Sequence, residues 1–173
     1  MNDARAVEEL IDRILPDITD IRHKIHQNPE LALQEFDTAA LIRQLLGATR
    51  VTLLDPFLAT DVVAILKGKG EGKNVTLRAD MDALPLTEGT GHRYRSNRPG
   101  IMHACGHDGH MAMLIGAAMV LDSLKDRFNG SIRFVFQPGE EVVAAGKDLV
   151  EKGALKDPEP DAVFAFHAWN GMP

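Results

Sequence analysis

The sequence predicts an α/β fold: a layered domain with a mixed, largely parallel sheet flanked by helices. After residue 60, short β-rich segments alternate with helical segments along the chain. One of those helical segments is apolar almost all round, which is typical of a helix packed against a sheet. With 173 residues, 45% of them hydrophobic and 25% charged, the chain is long enough for one compact domain with its own core.

The N-terminal part of the chain is helical by the spacing of its apolar residues. Residues 4–27 carry an apolar residue every three or four positions, and Pro16 predicts a kink or a boundary within this helix. A second helix is predicted over Phe36–Leu46, and Gly47 ends it. Two helices therefore precede the sheet.

The strands are predicted from short segments rich in β-branched and aromatic residues. They lie at residues 61–66, 74–80, 131–137 and 161–167. The apolar helix at residues 109–124 separates the second segment from the third, and a weaker helix at 144–153 separates the third from the fourth. Strands separated by helices favour parallel pairing, because a parallel neighbour needs a long crossover connection.

Composition and charge exclude several classes of function. The net charge of −6 and the lack of a basic stripe argue against nucleic-acid binding. No apolar run approaches the roughly 20 residues that span a bilayer, so no membrane partner is expected. The acidic N-terminus lacks the apolar core of a secretory signal, and the single Cys105 cannot form an internal disulfide. We therefore expect a cytoplasmic location.

Metal-competent side chains follow three of the four predicted strands. Asp80 and Asp82 lie at the end of the second strand, Glu140 and Glu141 follow the third, and His167 ends the fourth. In an open α/β sheet, ligands bind beyond the carboxyl ends of the strands. These side chains are therefore expected to converge, and their convergence predicts a metal site.

The pair Cys105 and His107 precedes the apolar helix, with one glycine between the two residues. Alternate residues of an extended loop can present a thiolate and an imidazole to one ion, and Gly106 allows a tight turn between them. The alternative is a buried structural cysteine beside surface histidines. A structural zinc centre is disfavoured, since such sites usually take two to four cysteines.

The adjacent pair Glu140 and Glu141 suits the two tasks of metal-assisted hydrolysis. One carboxylate can bind the metal while the other moves protons on the attacking water. The alternative is a solvated acidic helix start. Asp80 and Asp82 could bind the metal or orient a ligand histidine, or could form a turn before Ala83-Leu84-Pro85.

The histidines outside this group carry weaker predictions. We expect His23 and His26 in the first helix to be packing or surface residues rather than ligands. His92 lies in a polar loop that begins at residue 87, and its surroundings indicate no role.

Five stretches resemble the M20 metallopeptidase family, and specifically its amidohydrolase branch, which includes hippurate hydrolases and N-acyl-amino-acid amidohydrolases. They are residues 21–39 (IRHKIHQNPELALQEFDTA), 77–88 (LRADMDALPLTE), 99–118 (PGIMHACGHDGHMAMLIGAA), 134–141 (FVFQPGEE) and 164–173 (FAFHAWNGMP). The resemblance runs nearly end to end. MHACGHDGH and QPGEE are its most specific motifs.

This resemblance implies a role for each candidate residue. Cys105, His107, Glu141 and His167 would be metal ligands. Glu140 would be the general base and acid, and Asp82 would orient the site. Asp80 stands where other branches of the family place a ligand histidine, so its role stays open.

The implied activity is metal-dependent hydrolysis of the amide bond of an N-acyl amino acid, either hippurate-like or N-acetylated. One or two divalent ions would activate the attacking water, with zinc as the first candidate and manganese, cobalt or nickel as the others. The expected partner is this small-molecule substrate. An enzyme that uses Cys105 as a nucleophile activated by His107 is the alternative chemistry.

The resemblance also implies a domain organisation. Residues 1–173 would form the N-terminal part of the catalytic domain, without the lid or dimerisation domain and without the C-terminal completion. The full-length form would be a homo-oligomer through that lid. A truncated and catalytically inactive piece is therefore the other expectation for the 173-residue chain.

Overall fold

The computed structural model describes residues 3–169. Five helices and five strands follow one another as α1 (Asp3–Gln27), α2 (Phe36–Leu46), β1 (Thr52–Leu53), β2 (Val62–Lys67), β3 (Asn74–Asp80), α3 (His107–Ser123), β4 (Ser131–Gln137), α4 (Glu140–Val143), α5 (Gly146–Glu151) and β5 (Ala162–Ala165). A short 3-10 helix at Lys125–Arg127 precedes β4. In the described part of the chain, no helix is long and apolar enough to cross a membrane.

The strands form one mixed sheet in the order β1-β2-β4-β3-β5. Strand β3 lies parallel to both β4 and β5, whereas β2 pairs antiparallel with β4 and with β1. The prediction of a mixed sheet flanked by helices is confirmed, and its parallel half consists of β4, β3 and β5. In that half Asp80 pairs with Gln137, so the carboxyl ends of β3 and β4 reach the same edge.

The core lies on both faces of the sheet because side chains alternate along β4. Phe134 and Phe136 are fully buried on the face that α1, α2 and α3 cover, where Ile115 joins the same cluster. Val135 points to the opposite face and packs with Leu149 of α5. The site therefore rests on a sheet that helices hold from two sides.

Helix α1 continues through Pro16, where the sequence predicts a kink or boundary. A proline within a helix removes one backbone hydrogen bond, and packing of the apolar side of the helix can offset that loss. Gly116 of α3 allows the close packing, since an added Cβ there would lie 3.3 Å from Ile18. Tertiary contact with α3 thus explains why α1 remains one helix.

The predicted bounds of α1, β2 and α3 differ from the observed ones by one or two residues, with α3 beginning at His107 rather than at residue 109, and two further predictions were wrong in extent or number. The prediction of a strand over residues 161–167 was wrong at its end, because β5 stops at Ala165 and His167 lies in the extended segment beyond it. The single helix predicted over 144–153 is replaced by α4 and α5, which Ala144 separates in a left-handed conformation. Residues 170–173 of the last family-like stretch lie outside the described residues.

Candidate metal centre

His107 lies at the centre of the site, fully buried at the first position of α3. Gly106 immediately before it has a φ of 84°, a left-handed conformation that glycine adopts readily, and this turn starts the helix. The backbone therefore directs His107 inwards, towards the end of β3.

The hydrogen bonds of His107 indicate which ring nitrogen is available. Nδ1 lies 2.8 Å from the backbone carbonyl oxygen of Asp82, and a carbonyl only accepts, so Nδ1 carries a proton. Nε2 is buried and has no hydrogen-bond partner among the described residues. Metal-binding histidines commonly have this arrangement, in which one ring N–H is held by a carbonyl and the other nitrogen is free to bind the ion.

Cys105 and His167 supply further donors beside His107. The three residues place a donor atom each within 4.8 Å of one another, and the Cys105 Sγ lies 3.3 Å from the His167 Nε2. The Nδ1–H of His167 donates to the Ala168 carbonyl oxygen at 2.6 Å, which leaves Nε2 directed at the sulfur. One thiol and two imidazoles form a donor set that suits zinc.

The pair Glu140 and Glu141 completes the group, and both place a carboxylate oxygen within 4.8 Å of a His107 ring nitrogen. Glu141 Oε1 lies 3.7 Å from His107 Nε2. Glu140 and Glu141 are the first residues of α4, directly after the end of β4. The structure thus brings together the four predicted ligands and the predicted general base.

The electrostatics of the group favour a bound cation. Burial and the nearby carboxylate of Glu141 raise the pKa of the Cys105 thiol to about 12. Burial alone would lower the pKa of His107, but its hydrogen bond to Asp82 and the charge of Asp80 raise that pKa above its ordinary value. A positive charge is therefore stabilised here, and a divalent ion would allow Cys105 to bind as the thiolate.

Asp82 is buried and holds the backbone that carries the two glutamates. Its two side-chain oxygens accept the backbone N–H groups of Glu140 and Glu141, each at 2.9 Å. Burial would raise the pKa of Asp82, yet the hydrogen bonds from His107 and from these two amides keep it below its ordinary value. The carboxylate is thus ionised and occupied, which fits the orienting role that the resemblance implies.

Asp80, whose role the sequence leaves open, is engaged on both oxygens. Oδ1 lies 2.6 Å from His110 Nδ1, and Oδ2 lies 2.7 Å from the Arg78 guanidinium. The other ring nitrogen of His110 accepts the backbone N–H of Ala168 at 2.8 Å. Through these contacts, Asp80 and His110 hold the segment that carries His167. Both residues also lie within 4.8 Å of a donor atom of His107.

We expect Asp80→Asn to change the pH dependence of the free energy of unfolding. Although burial opposes ionisation, the hydrogen bond from His110 and the charges of His107 and Arg78 lower the pKa of Asp80 from 3.8 to about 2. A lowered folded-state pKa stabilises the fold above the unfolded pKa, and this contribution disappears as the pH falls through the folded pKa.

The stability difference between wild type and Asp80→Asn should therefore shrink by about 2 kcal/mol as the pH falls from 6 to 2. Urea unfolding at several pH values measures it. Parallel pH curves for the two proteins would show that the charge of Asp80 does not stabilise the fold.

His23, His26 and His92, which the sequence does not place among the ligands, lie in a separate network. His26 is buried between Asp108, 2.9 Å from Nδ1, and Glu88, 3.4 Å from Nε2. His23 and His92 stack on the ring of Tyr94 at centroid distances of 3.9 and 5.0 Å. These contacts leave both nitrogens of His26 occupied, as expected of a packing residue.

A cavity of 560 Å³ adjoins the metal donors on the side of this network. Its lining is made of residues from α1, from the loop between β3 and α3, from the start of α3, and from the segment after β5: Arg22, His26, Glu88, Thr90, His92, Tyr94, Met102, His103, Ala104, Cys105, Gly106, Asp108, His167, Ala168 and Trp169. His103 is buried, and neither ring nitrogen has a hydrogen-bond partner among residues 3–169. Burial lowers the pKa of His103 to about 4, so this ring is neutral at pH 7.

The edge of this α/β sheet carries thiol, imidazole and carboxylate donors, with a further carboxylate beside them. This arrangement is typical of metal-dependent hydrolases. The chain belongs to peptidase family M20/M25/M40. The model of that family matches residues 76–173, which is more than half of the chain.

Relatives and solved structures agree with this assignment. The chain is 40% identical over 157 residues to the N-acetylcysteine deacetylase of Bacillus subtilis, covering 90% of this chain and 41% of the relative. It is 42% identical over 161 residues to the hippurate hydrolase of Campylobacter jejuni, covering 89% of this chain and 42% of the relative.

A solved structure shares the fold and the family. The crystal structure of the Bacillus subtilis YXEP protein, a dinuclear metal binding peptidase from the M20 family, matches with a TM-score of 0.85 and 38% identity. The match covers 99% of this chain and 45% of that chain. The chain thus spans less than half the length of these relatives, and the likeness supports binding of divalent metal ions.

Proposed function

We propose that this protein is a metal-dependent amidohydrolase that cleaves the amide bond of N-acyl amino acids. The observation that carries the proposal is the double role of Asp82. Its carbonyl oxygen orients His107, and its carboxylate holds the backbone of Glu140 and Glu141. One buried residue thereby fixes His107, Glu140 and Glu141, to which the proposal gives the roles of metal donor, proton carrier and second metal donor.

Each side chain then has a distinct task. Cys105, His107, Glu141 and His167 would hold one or two divalent ions, zinc first, with manganese, cobalt or nickel as alternatives. Such an ion lowers the pKa of a coordinated water and polarises the amide carbonyl. Glu140 accepts the proton of the attacking water and passes it to the leaving amine.

The charges that line the 560 Å³ cavity favour the acyl half of the substrate. Arg22 lies 2.9 Å from Asp108, and His26 is shared between Asp108 and Glu88. Among the described lining residues, these positive groups are already paired, so a free carboxylate would gain little there. The uncharged acyl group is therefore the half of an N-acyl amino acid that fits this cavity.

The size and lining of the cavity support acyl groups larger than acetyl. A volume of 560 Å³ falls in the range of small-molecule pockets. The stacked rings of His92 and Tyr94 and the exposed Trp169 offer aromatic contact. The neutral His103 can donate or accept one hydrogen bond with a polar group of the acyl moiety. We therefore propose that the enzyme hydrolyses hippurate-like substrates faster than N-acetyl amino acids.

We further propose that residues 1–173 are the N-terminal part of a catalytic domain that a longer chain completes. Phe164 and Phe166, in and just after the edge strand β5, are 51% and 74% exposed. The remaining length of the relatives would cover this apolar edge, add the lid, and make a homo-oligomer through it. The proposed location is the cytoplasm, where Cys105 stays reduced.

The experiment is hydrolysis of N-benzoylglycine and N-acetylglycine by the metal-loaded protein extended to the length of its relatives. Release of free glycine should require zinc or manganese, stop on addition of a chelator, and be faster from the benzoyl compound. No release from any N-acyl amino acid at metal saturation would refute the amidohydrolase. Equal turnover by the isolated 173-residue chain would refute the domain proposal.

A cysteine hydrolase is the second candidate, and the observation in its favour is the 3.3 Å approach of Cys105 Sγ to His167 Nε2. The expected base His107 instead donates to Asp82. A thiol with a pKa of about 12 is protonated at neutral pH, and the thiolate is the nucleophile in such enzymes. Inactivation by alkylation, with no effect of chelators, would favour this candidate.

A further inference from the structure

Three successive backbone N–H groups precede and begin α4, and each donates to a buried carboxylate. Asp82 accepts the N–H groups of Glu140 and Glu141. The N–H of Gly139 donates to Oε1 of Glu35 at 2.9 Å. The turn that presents Glu140 is thus held by two carboxylates from different parts of the chain.

Glu35 is fully buried, which is rare for a carboxylate. Its second oxygen, Oε2, accepts the hydroxyl of Thr60 at 2.8 Å. Burial raises the pKa of Glu35, while the hydrogen bonds from Thr60 and Gly139 oppose that rise. Among the described residues, Glu35 belongs to none of the metal-competent groups, and its hydrogen bond to the Gly139 amide links it to the site.

The turn has little freedom to find another partner for that amide. Gly139 has a φ of 59°, and an added Cβ there would lie 2.9 Å from Val143 and 3.1 Å from Leu33. Leu33 itself has a φ of 61°, which a non-glycine residue rarely adopts. A backbone held in such a conformation near a functional site suggests that its placement matters for the chemistry.

We propose that Glu35 is a positioning residue whose hydrogen bond to the Gly139 amide fixes the turn that presents Glu140 to the substrate. The role depends on the acceptor oxygen rather than on the charge. It rests on the proposed function, since Glu140 is the proton carrier of that reaction.

The test compares two near-isosteric replacements in the metal-loaded, full-length protein. Glu35→Gln keeps an oxygen that accepts the Gly139 N–H, whereas Glu35→Met keeps the volume and removes the acceptor. We expect Glu35→Met to lower kcat by about 10²-fold, with KM and metal content close to wild type, because small displacements of a catalytic group have effects of this size. Glu35→Gln should restore most of kcat.

Thr60→Val is the matched control, because it removes the other hydrogen bond of the same carboxylate and leaves the one to Gly139. It should lower the melting temperature while kcat stays close to wild type. Backbone hydrogen exchange supplies a second readout: exchange at residues 139–141 should rise in Glu35→Met and remain slow in Thr60→Val. If Glu35→Met does not fold, Glu35→Asp, one methylene too short to reach Gly139, replaces it with the same expectations.

Two results would overturn the proposal. Equal losses of kcat in Glu35→Met and Thr60→Val would show that the carboxylate serves stability alone. A Glu35→Gln variant as slow as Glu35→Met would show that the charge, rather than the contact with Gly139, matters. A wild-type protein without amidase activity would defeat the proposed function instead, and the exchange pattern would then decide the contact by itself.

Discussion

Replacement of Glu140 by glutamine is expected to lower kcat for amide hydrolysis by about 10³-fold and to leave the metal content unchanged. Glutamine has the size of glutamate but cannot accept the proton of the attacking water. The backbone N–H of residue 140 would still donate to Asp82, so the turn keeps its place. Steady-state kinetics and metal analysis of the same preparation measure both expectations.

Glu141→Gln is the matched control, because it changes the neighbouring carboxylate by the same atoms. We expect it to weaken metal binding, since its Oε1 lies 3.7 Å from the free ring nitrogen of His107. Its activity should recover in part at high metal concentration, and that of Glu140→Gln should not. Activity close to wild type in Glu140→Gln would remove Glu140 from the mechanism.

Replacement of His107 by alanine is expected to weaken metal binding by more than about 100-fold and to abolish turnover at ordinary metal concentrations. The change removes the buried Nε2 and leaves the carbonyl of Asp82 without its donor. Competition with a chromogenic chelator measures the affinity. Chelator-treated wild type should regain activity with added zinc, and the variant should not.

The control for this variant is His26→Gln, at another buried histidine that lies outside the donor group. Its metal content should match that of wild type. Wild-type metal affinity in His107→Ala would contradict the assignment of the central ligand. Equal loss in His26→Gln would indicate that general destabilisation, rather than a missing ligand, causes the effect.

Much of the architecture could be predicted because it depends on local patterns. The bounds of α2 agree with the apolar spacing and with Gly47, and β3 and β4 agree with the β-rich segments. The convergence of the candidate side chains could also be predicted, because side chains that follow parallel strands meet at one edge. The direction of the strands could not be predicted in full, because nothing in the sequence of β2 indicates that it pairs antiparallel with β4.

Glu35 and His103 show which functional candidates sequence reasoning missed. Glu35 stands before an apolar helix start, where an acidic residue is expected to be solvated. His103 belongs to the same MHACGHDGH motif as Cys105, but the resemblance assigned no role to it. For Glu35 the family-like stretch was the only available signal, and it did not say what the carboxylate binds.

The sequence by itself therefore determined the types of the candidate residues, their order and the sheet edge at which Cys105, His107 and the pair Glu140-Glu141 meet. Only the tertiary structure decided which of their atoms are held by hydrogen bonds and which, such as Nε2 of His107, have no partner among the described residues. Asp82 is 25 residues from His107 and 58 from Glu140, and Glu35 is 104 residues from Gly139. Hydrogen bonds across such separations leave no periodic or local trace in the chain, yet they orient the imidazole of His107 and hold the turn that carries Glu140.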